Sequence, residues 1–174
     1  MRSSLPSYAV TVPFDDLLRA NARYADDFAL SGFDGIAHAG VGVVTCMDSR
    51  IDPLGLLGLG PGDAKILRNL GGRVTDQVLV ALVLSVHLLN VDRILVMPHT
   101  RCAIASATEE QIRERVSESS GQDASWATFG VVADQEAALD DDVARVRSHP
   151  LIPDSVNVGG FLYDVDTGRL TRRA

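Results

Sequence analysis

Three short apolar runs along the chain are typical of buried strands, and polar or turn residues bound each of them. They span residues 41–45, 64–68 and 92–98, and aliphatic and β-branched side chains dominate them. The segment 156–170 alternates apolar and polar residues around an Asp-Thr-Gly turn, which indicates a strand or a hairpin. These patterns predict a sheet whose strands are separated by longer polar segments.

In those longer segments, apolar residues recur at the spacing of an α-helix. Helices are predicted over 14–30, from a cap at Thr75 and Asp76 to about residue 89, over 108–116 and over 135–148. Because strands alternate with helices, the predicted fold class is α/β, with a mainly parallel central sheet flanked by helices.

The helix that begins at Asp76 is apolar on nearly every side. A helix of this kind must be buried on more than one face, and in a chain this short a subunit interface is the expected second face. His87 is therefore interpreted as a buried or interface residue of that helix. By contrast, Asp140, Asp141 and Asp142 are expected on an exposed face of the helix over 135–148.

Length and charge narrow the function classes. With 174 residues, the chain is predicted to form one domain over 1–174, with residues 1–30 as an N-terminal helical arm. A net charge of −7 disfavours nucleic acid and anionic membranes as partners. The longest apolar run falls short of the roughly 20 residues that a membrane span needs. Two cysteines do not make a secreted disulfide framework, so a cytoplasmic location is expected.

Potential metal ligands follow two of the predicted strands. Cys46 ends the first strand, and His99 and Cys102 come directly after the third. Two thiolates and one imidazole suit zinc and leave one tetrahedral position open, as in catalytic sites. The alternative is that these are two small core cysteines and a hydrogen-bonded core histidine. Their position at strand ends, beside Asp48 and Arg50, favours the metal site.

The motif Cys-x-Asp-x-Arg, followed about 50 residues later by His-x-x-Cys, resembles the β-class carbonic anhydrases, a family that includes hydrolases of CS2 and COS. The likeness runs through CMDSRIDP, PGDAKILRNLGG at 61–72 and HTRC at 99–102. It implies the β-carbonic anhydrase fold and one zinc ion per chain, held by Cys46, His99 and Cys102. It further implies reversible hydration of CO2 to bicarbonate by a zinc-bound hydroxide, the activity of a zinc lyase.

The resemblance also implies roles for the residues around the metal. Asp48 would accept a hydrogen bond from the hydroxide, and Arg50 would keep that carboxylate ionised and oriented. Leu70 matches a position that lines the apolar substrate pocket, although plain core packing explains it equally well. The backbone N–H of Ala103 is expected to face the substrate. A homodimer or larger homo-oligomer is implied, with the zinc sites near the subunit interface.

Two residues depart from the pattern of the family. Ala103 stands where glycine is usual, and Arg101 where aspartate, glycine or another small residue is more common. Three alternatives therefore stay open beside carbonic anhydrase: a hydrolase of CS2 or COS on the same zinc site, a non-catalytic zinc-binding relative, and a redox role for Cys46 and Cys102.

Overall fold

The computed structural model describes residues 13–174, which divide into two units, the first ending at Asp34 and the second spanning Gly35–Ala174. In the first unit, helix α1 (Asp15–Asp26) begins after Phe14 and carries Asp15 and Asp16 in its first turn, where the helix dipole favours them. The helix predicted over 14–30 is thus confirmed in a shorter form. None of its side chains is buried.

A five-stranded sheet forms the centre of the second unit. Its strands are β1 (Val41–Cys46), β2 (Ala64–Asn69), β3 (Arg93–Met97), β4 (Asn157–Tyr163) and β5 (Leu170–Arg172). They lie in the order β2-β1-β3-β4-β5. β1, β2, β3 and β4 run parallel to one another, and β5 closes an antiparallel hairpin with β4, so the mainly parallel sheet is confirmed.

Three helices belong to this unit, and each lies where the sequence predicts one. They are α2 (Asp76–Leu88), α3 (Glu109–Ser120) and α4 (Gln135–Arg147). Thr75 caps α2 by accepting a hydrogen bond from the Val78 N–H, and Thr108 caps α3 in a capping box with Gln111.

Successive residues of β1 face two different apolar cores, because side chains alternate along a strand. Val44 packs with α2 and α4 in one core, and Val43 lies in the other with Val41, Met97 and Tyr163. Since β1 has a parallel neighbour on each side, all six of its residues are buried. The cysteine at its end is therefore held by a strand that has little freedom to move.

One expectation about buried and exposed side chains is wrong. Asp142 is 3% exposed and forms an ion pair with Arg73, whereas Asp140 and Asp141 are exposed as expected. The helical period explains this, because Asp142 falls on the same face of α4 as the core residues Leu139, Val143 and Val146. His87 is exposed in the single chain, and its Nε2 lies 2.8 Å from the Leu151 carbonyl, so it is not buried within the chain and its place in a subunit interface stays a prediction.

Within residues 13–174, no helix combines the length and the apolar character that crossing a bilayer requires.

The apolar outer face of α2 is only partly covered. Val80, Leu84 and Leu88, which are four residues apart, are 70%, 47% and 70% exposed.

Candidate metal centre

The three predicted metal ligands converge at the carboxyl edge of the sheet. β1 and β3 are parallel neighbours, with Thr45 opposite Met97, so Cys46 and the residues that follow β3 leave the sheet side by side. The ligand atoms of Cys46, His99 and Cys102 all lie within 4.8 Å of one another, and all three residues are buried. This spacing is compatible with three donors that share one ion.

The hydrogen bonding of His99 leaves one ring nitrogen directed at this cluster. Nδ1 lies 2.8 Å from the Thr100 carbonyl, and because a carbonyl only accepts, the proton belongs on Nδ1. Nε2 then carries a lone pair. Within residues 13–174, Nε2 is the one buried side-chain nitrogen or oxygen that has no hydrogen-bond partner. A buried polar atom without a partner is costly, and coordination of a metal ion would remove that cost.

Burial favours the neutral forms of Cys102 and His99 as long as no cation accompanies them. It raises the pKa of the Cys102 thiol, with a smaller contribution from neighbouring Cys46, and it lowers the pKa of the His99 imidazole. A divalent ion would compensate two thiolates at this position, and the uncharged imidazole is the form that coordinates. The set of two thiols and one imidazole therefore fits zinc.

Asp48 and Arg50 form a bidentate ion pair beside these donors. Arg50 Nε and Nη2 donate to the two carboxylate oxygens of Asp48 at 2.9 and 2.6 Å, and the Arg50 backbone N–H donates to Oδ1 at 2.9 Å. These bonds hold the pKa of Asp48 well below its ordinary value and raise that of Arg50. Asp48 Oδ2 lies 3.7 Å from His99 Nε2, so a carboxylate that is stabilised in its ionised form borders the candidate metal centre.

An open cavity of about 520 Å³ leads from solvent to the donors, and Leu70 and Ala103 both line it. Leu70 is 45% exposed, which argues against plain core packing for its side chain. Met47, 61% exposed, adds a second apolar side chain at the entrance. The cavity thus joins an apolar wall to a polar end formed by the donors and the ion pair.

Comparison with known proteins identifies the family. The model of the carbonic anhydrase family matches residues 41–170. The chain belongs to the β-carbonic anhydrase family.

Proteins similar to this chain include both carbonic anhydrases and carbon disulfide hydrolases. Beta-carbonic anhydrase 1 of Mycobacterium tuberculosis is 30% identical over 160 residues, covering 90% of this chain and 94% of the relative. Carbon disulfide hydrolase of Acidianus sp. is 33% identical over 183 residues, covering 90% and 89%. Among solved structures, carbonic anhydrase from Streptococcus mutans matches with a TM-score of 0.84 and 37% identity, covering 95% of this chain and all of the other.

The two departures from the β-carbonic anhydrase pattern have different structural outcomes. Ala103 is absent from the non-glycine residues with positive φ in residues 13–174, so its backbone conformation does not require glycine. Arg101, in contrast, has φ of 54°, the left-handed region that glycine, aspartate and asparagine adopt most readily. The preference of the family for aspartate or glycine at this position was the available signal of that backbone conformation.

Two residues that support this β-carbonic anhydrase site were not predicted from sequence. Arg68, on β2, donates to the carbonyls of Cys46, Asp48 and Ile51 and so ties the loop after β1 to the sheet. Gln135, the first residue of α4, donates from Nε2 to the His99 carbonyl at 3.0 Å. Both act on backbone carbonyls, for which a sequence carries no pattern.

Proposed function

We propose that this protein is a zinc-dependent carbonic anhydrase that hydrates CO2 reversibly to bicarbonate, with Cys46, His99 and Cys102 as the zinc ligands. The observation that carries the proposal is the grouping of these three donors, one of which is the partnerless Nε2 of His99, next to an ionised carboxylate. Zinc, when bound, supplies a water acidic enough to be deprotonated near neutral pH.

The protein's own residues orient the reaction. Asp48 remains an acceptor throughout, because two hydrogen bonds from the Arg50 side chain and one from its backbone stabilise the charged carboxylate. An acceptor that cannot donate admits the nucleophile in only one orientation, with its O–H toward Asp48 and a lone pair toward the substrate. Leu70 and Met47 offer apolar contact to CO2 at the entrance.

The test combines metal analysis with stopped-flow CO2 hydration. The wild-type chain is expected to bind one zinc ion and to hydrate CO2 well above the buffer rate. Cys46→Ser should lose both zinc and activity, because the hydroxyl is a far poorer zinc ligand at neutral pH. His149→Gln, which changes a histidine outside the donor set, is the matched control and should keep both. Zinc bound at one per chain without hydration would refute catalysis and favour a non-catalytic zinc-binding relative.

The second candidate is a hydrolase of CS2 or COS on the same zinc site. The 33% identity to the carbon disulfide hydrolase of Acidianus sp. supports it. The same stopped-flow experiment with COS distinguishes the two functions. A larger kcat/KM for COS than for CO2 would favour the hydrolase.

We also propose a homodimer as the minimal assembly. It is supported by the exposed apolar stripe of Val80, Leu84 and Leu88 on α2, since an isolated chain gains nothing from exposing such a surface to water. Sedimentation at micromolar concentration is expected to give at least twice the mass of one chain. A stable monomer would refute this part and leave the zinc site untouched.

A further inference from the structure

Arg101 links the ion pair beside the metal centre to the turn between β4 and β5. Its backbone carbonyl accepts a hydrogen bond from Arg50 Nη2 at 3.2 Å. Its guanidinium forms an ion pair with Asp166, which lies in the turn. Arg50 thus contacts Asp48 on one side and the Arg101 backbone on the other.

The turn is held against this segment by several further hydrogen bonds. His99 forms a parallel bridge with Tyr163, and the Thr100 N–H donates to the Tyr163 carbonyl at 2.9 Å. The Val165 N–H donates to Thr100 Oγ1 at 3.1 Å. Within the turn, Asp164 Oδ1 accepts from the Asp166 N–H at 2.8 Å. The partner of the Arg101 side chain is therefore itself anchored.

The Arg101 backbone is the unusual element in this arrangement. A left-handed conformation is unfavourable for a side chain with a Cβ, so the segment gains from a contact that holds it in place. Asp166 supplies that contact across 65 residues of sequence. If the segment relaxed, the Arg101 carbonyl would leave Arg50 and the guanidinium would be free to rotate away from Asp48.

We propose that Arg101 and Asp166 are positioning residues, which act together to keep the Arg101 carbonyl on Arg50 and so keep Asp48 aligned with the metal centre. This inference rests on the proposed function only for its kinetic consequence. Both side chains are more than half exposed, at 60% and 57%, so the pair biases the aligned state only modestly. The expected loss of kcat is therefore about two- to fivefold, and not the complete loss that removal of a ligand causes.

The test uses the zinc-loaded chain and five variants. Arg101→Gln and Asp166→Asn each remove the ion pair, and each should lower kcat about two- to fivefold with zinc content unchanged. The double variant should be no slower than either single one, because both changes remove the same interaction. Arg101→Lys keeps the charge and should retain most of the rate. Arg169→Gln removes a cation from the same turn and is the matched control with unchanged rate.

Arg101→Gly removes the ion pair and the backbone strain together. Glycine adopts this backbone conformation without strain, so the segment depends less on Asp166; kcat should fall less than in Arg101→Gln, and thermal stability should equal or exceed that of the wild type. An Arg101→Gly variant as slow as Arg101→Gln would mean that the charge acts directly and would overturn the positioning role.

A second measurement does not depend on catalysis. Hydrogen exchange of the Arg50 Nε–H, assigned by its loss in Arg50→Lys, should be about two- to fivefold faster in Arg101→Gln than in Arg169→Gln. If the wild-type chain hydrates no CO2, the proposed function fails and this exchange measurement alone decides the positioning role. Unchanged exchange overturns the inference, and so does a loss of rate that follows a loss of bound zinc.

Discussion

The ion pair between Arg73 and Asp142 is expected to be a major contributor to stability, and Asp142→Asn tests it. Arg73 Nε donates to Asp142 Oδ2 at 2.6 Å and Nη2 donates to Oδ1 at 3.3 Å. The Asp142 side chain is 5% exposed and that of Arg73 is 34% exposed. Asparagine preserves the shape of the side chain but removes the charge that compensates the guanidinium.

The magnitude follows from this difference in burial. Removing one partner of a fully buried ion pair costs about 3–5 kcal/mol, because the other charge stays buried and uncompensated. Since a third of the Arg73 side chain reaches water, and the asparagine oxygen still accepts one hydrogen bond, we expect a smaller cost of about 2 kcal/mol. Replacing both residues, as Arg73→Met with Asp142→Leu, should recover most of that loss.

Urea denaturation followed by circular dichroism measures this cost. Protein and zinc concentrations must be the same for all variants, because binding and assembly shift the apparent free energy of unfolding. Asp141→Asn, an identical change at the neighbouring exposed residue, is the control and should alter stability by less than about 0.5 kcal/mol. If the two asparagine variants unfold at the same urea concentration, the argument from buried charge is wrong.

Three further predictions concern the glycine beside the metal centre, the loop after α3, and the metal itself. Gly72→Ala should cost about 2 kcal/mol more than Gly58→Ala and weaken zinc binding, as measured by chelator competition. Both glycines have nearly equal φ (68° and 67°), but a Cβ at Gly72 would lie 3.0 Å from the Cys46 backbone nitrogen, whereas one at Gly58 meets nothing within 4 Å. Backbone N–H groups of the loop lower the pKa of Glu109, so its contribution to stability exists above the unfolded-state pKa and disappears as pH falls through the folded-state value. The difference in melting temperature between wild type and Glu109→Gln should therefore shrink below about pH 4.5. Removing zinc with a chelator should lower the melting temperature, and excess zinc should restore it. The expected effect is large, because a ligand at 1,000 times its Kd stabilises a protein by about 4 kcal/mol. Cys46→Ser should show neither change.

The strands and their end points were predictable because they depend on local pattern. The apolar run before Cys46 is buried along its whole length, and the run before His99 lies beside it in the sheet. Two strands that end at the same edge bring their following residues together whatever the loops between them do. The grouping of the ligands was therefore accessible from sequence, and only the distances required a structure.

The burial of Asp142 follows from its position in α4 and not from the composition around it. Three consecutive aspartates are typical of a solvated helix face, which is why composition predicts exposure for all three. The helical period places Asp142 between Leu139 and Val143 on the core face, where a carboxylate needs a cationic partner. That partner, Arg73, is 69 residues away, and only the fold brings the two together.

The role of the Arg101 side chain depends on contacts that the sequence does not reveal. Its residue type departs from the β-carbonic anhydrase pattern, and by sequence alone it is a surface cation near the metal centre. In the structure its charge is neutralised by Asp166, so it adds no net positive potential to attract bicarbonate. What remains near the ligands is its backbone carbonyl, which would be present with any residue at this position. The side chain therefore affects the site through conformation rather than charge. A neutral side chain with a Cβ loses the charge and keeps the backbone strain, whereas glycine loses both. Substitution by glycine is therefore the change that distinguishes the two effects.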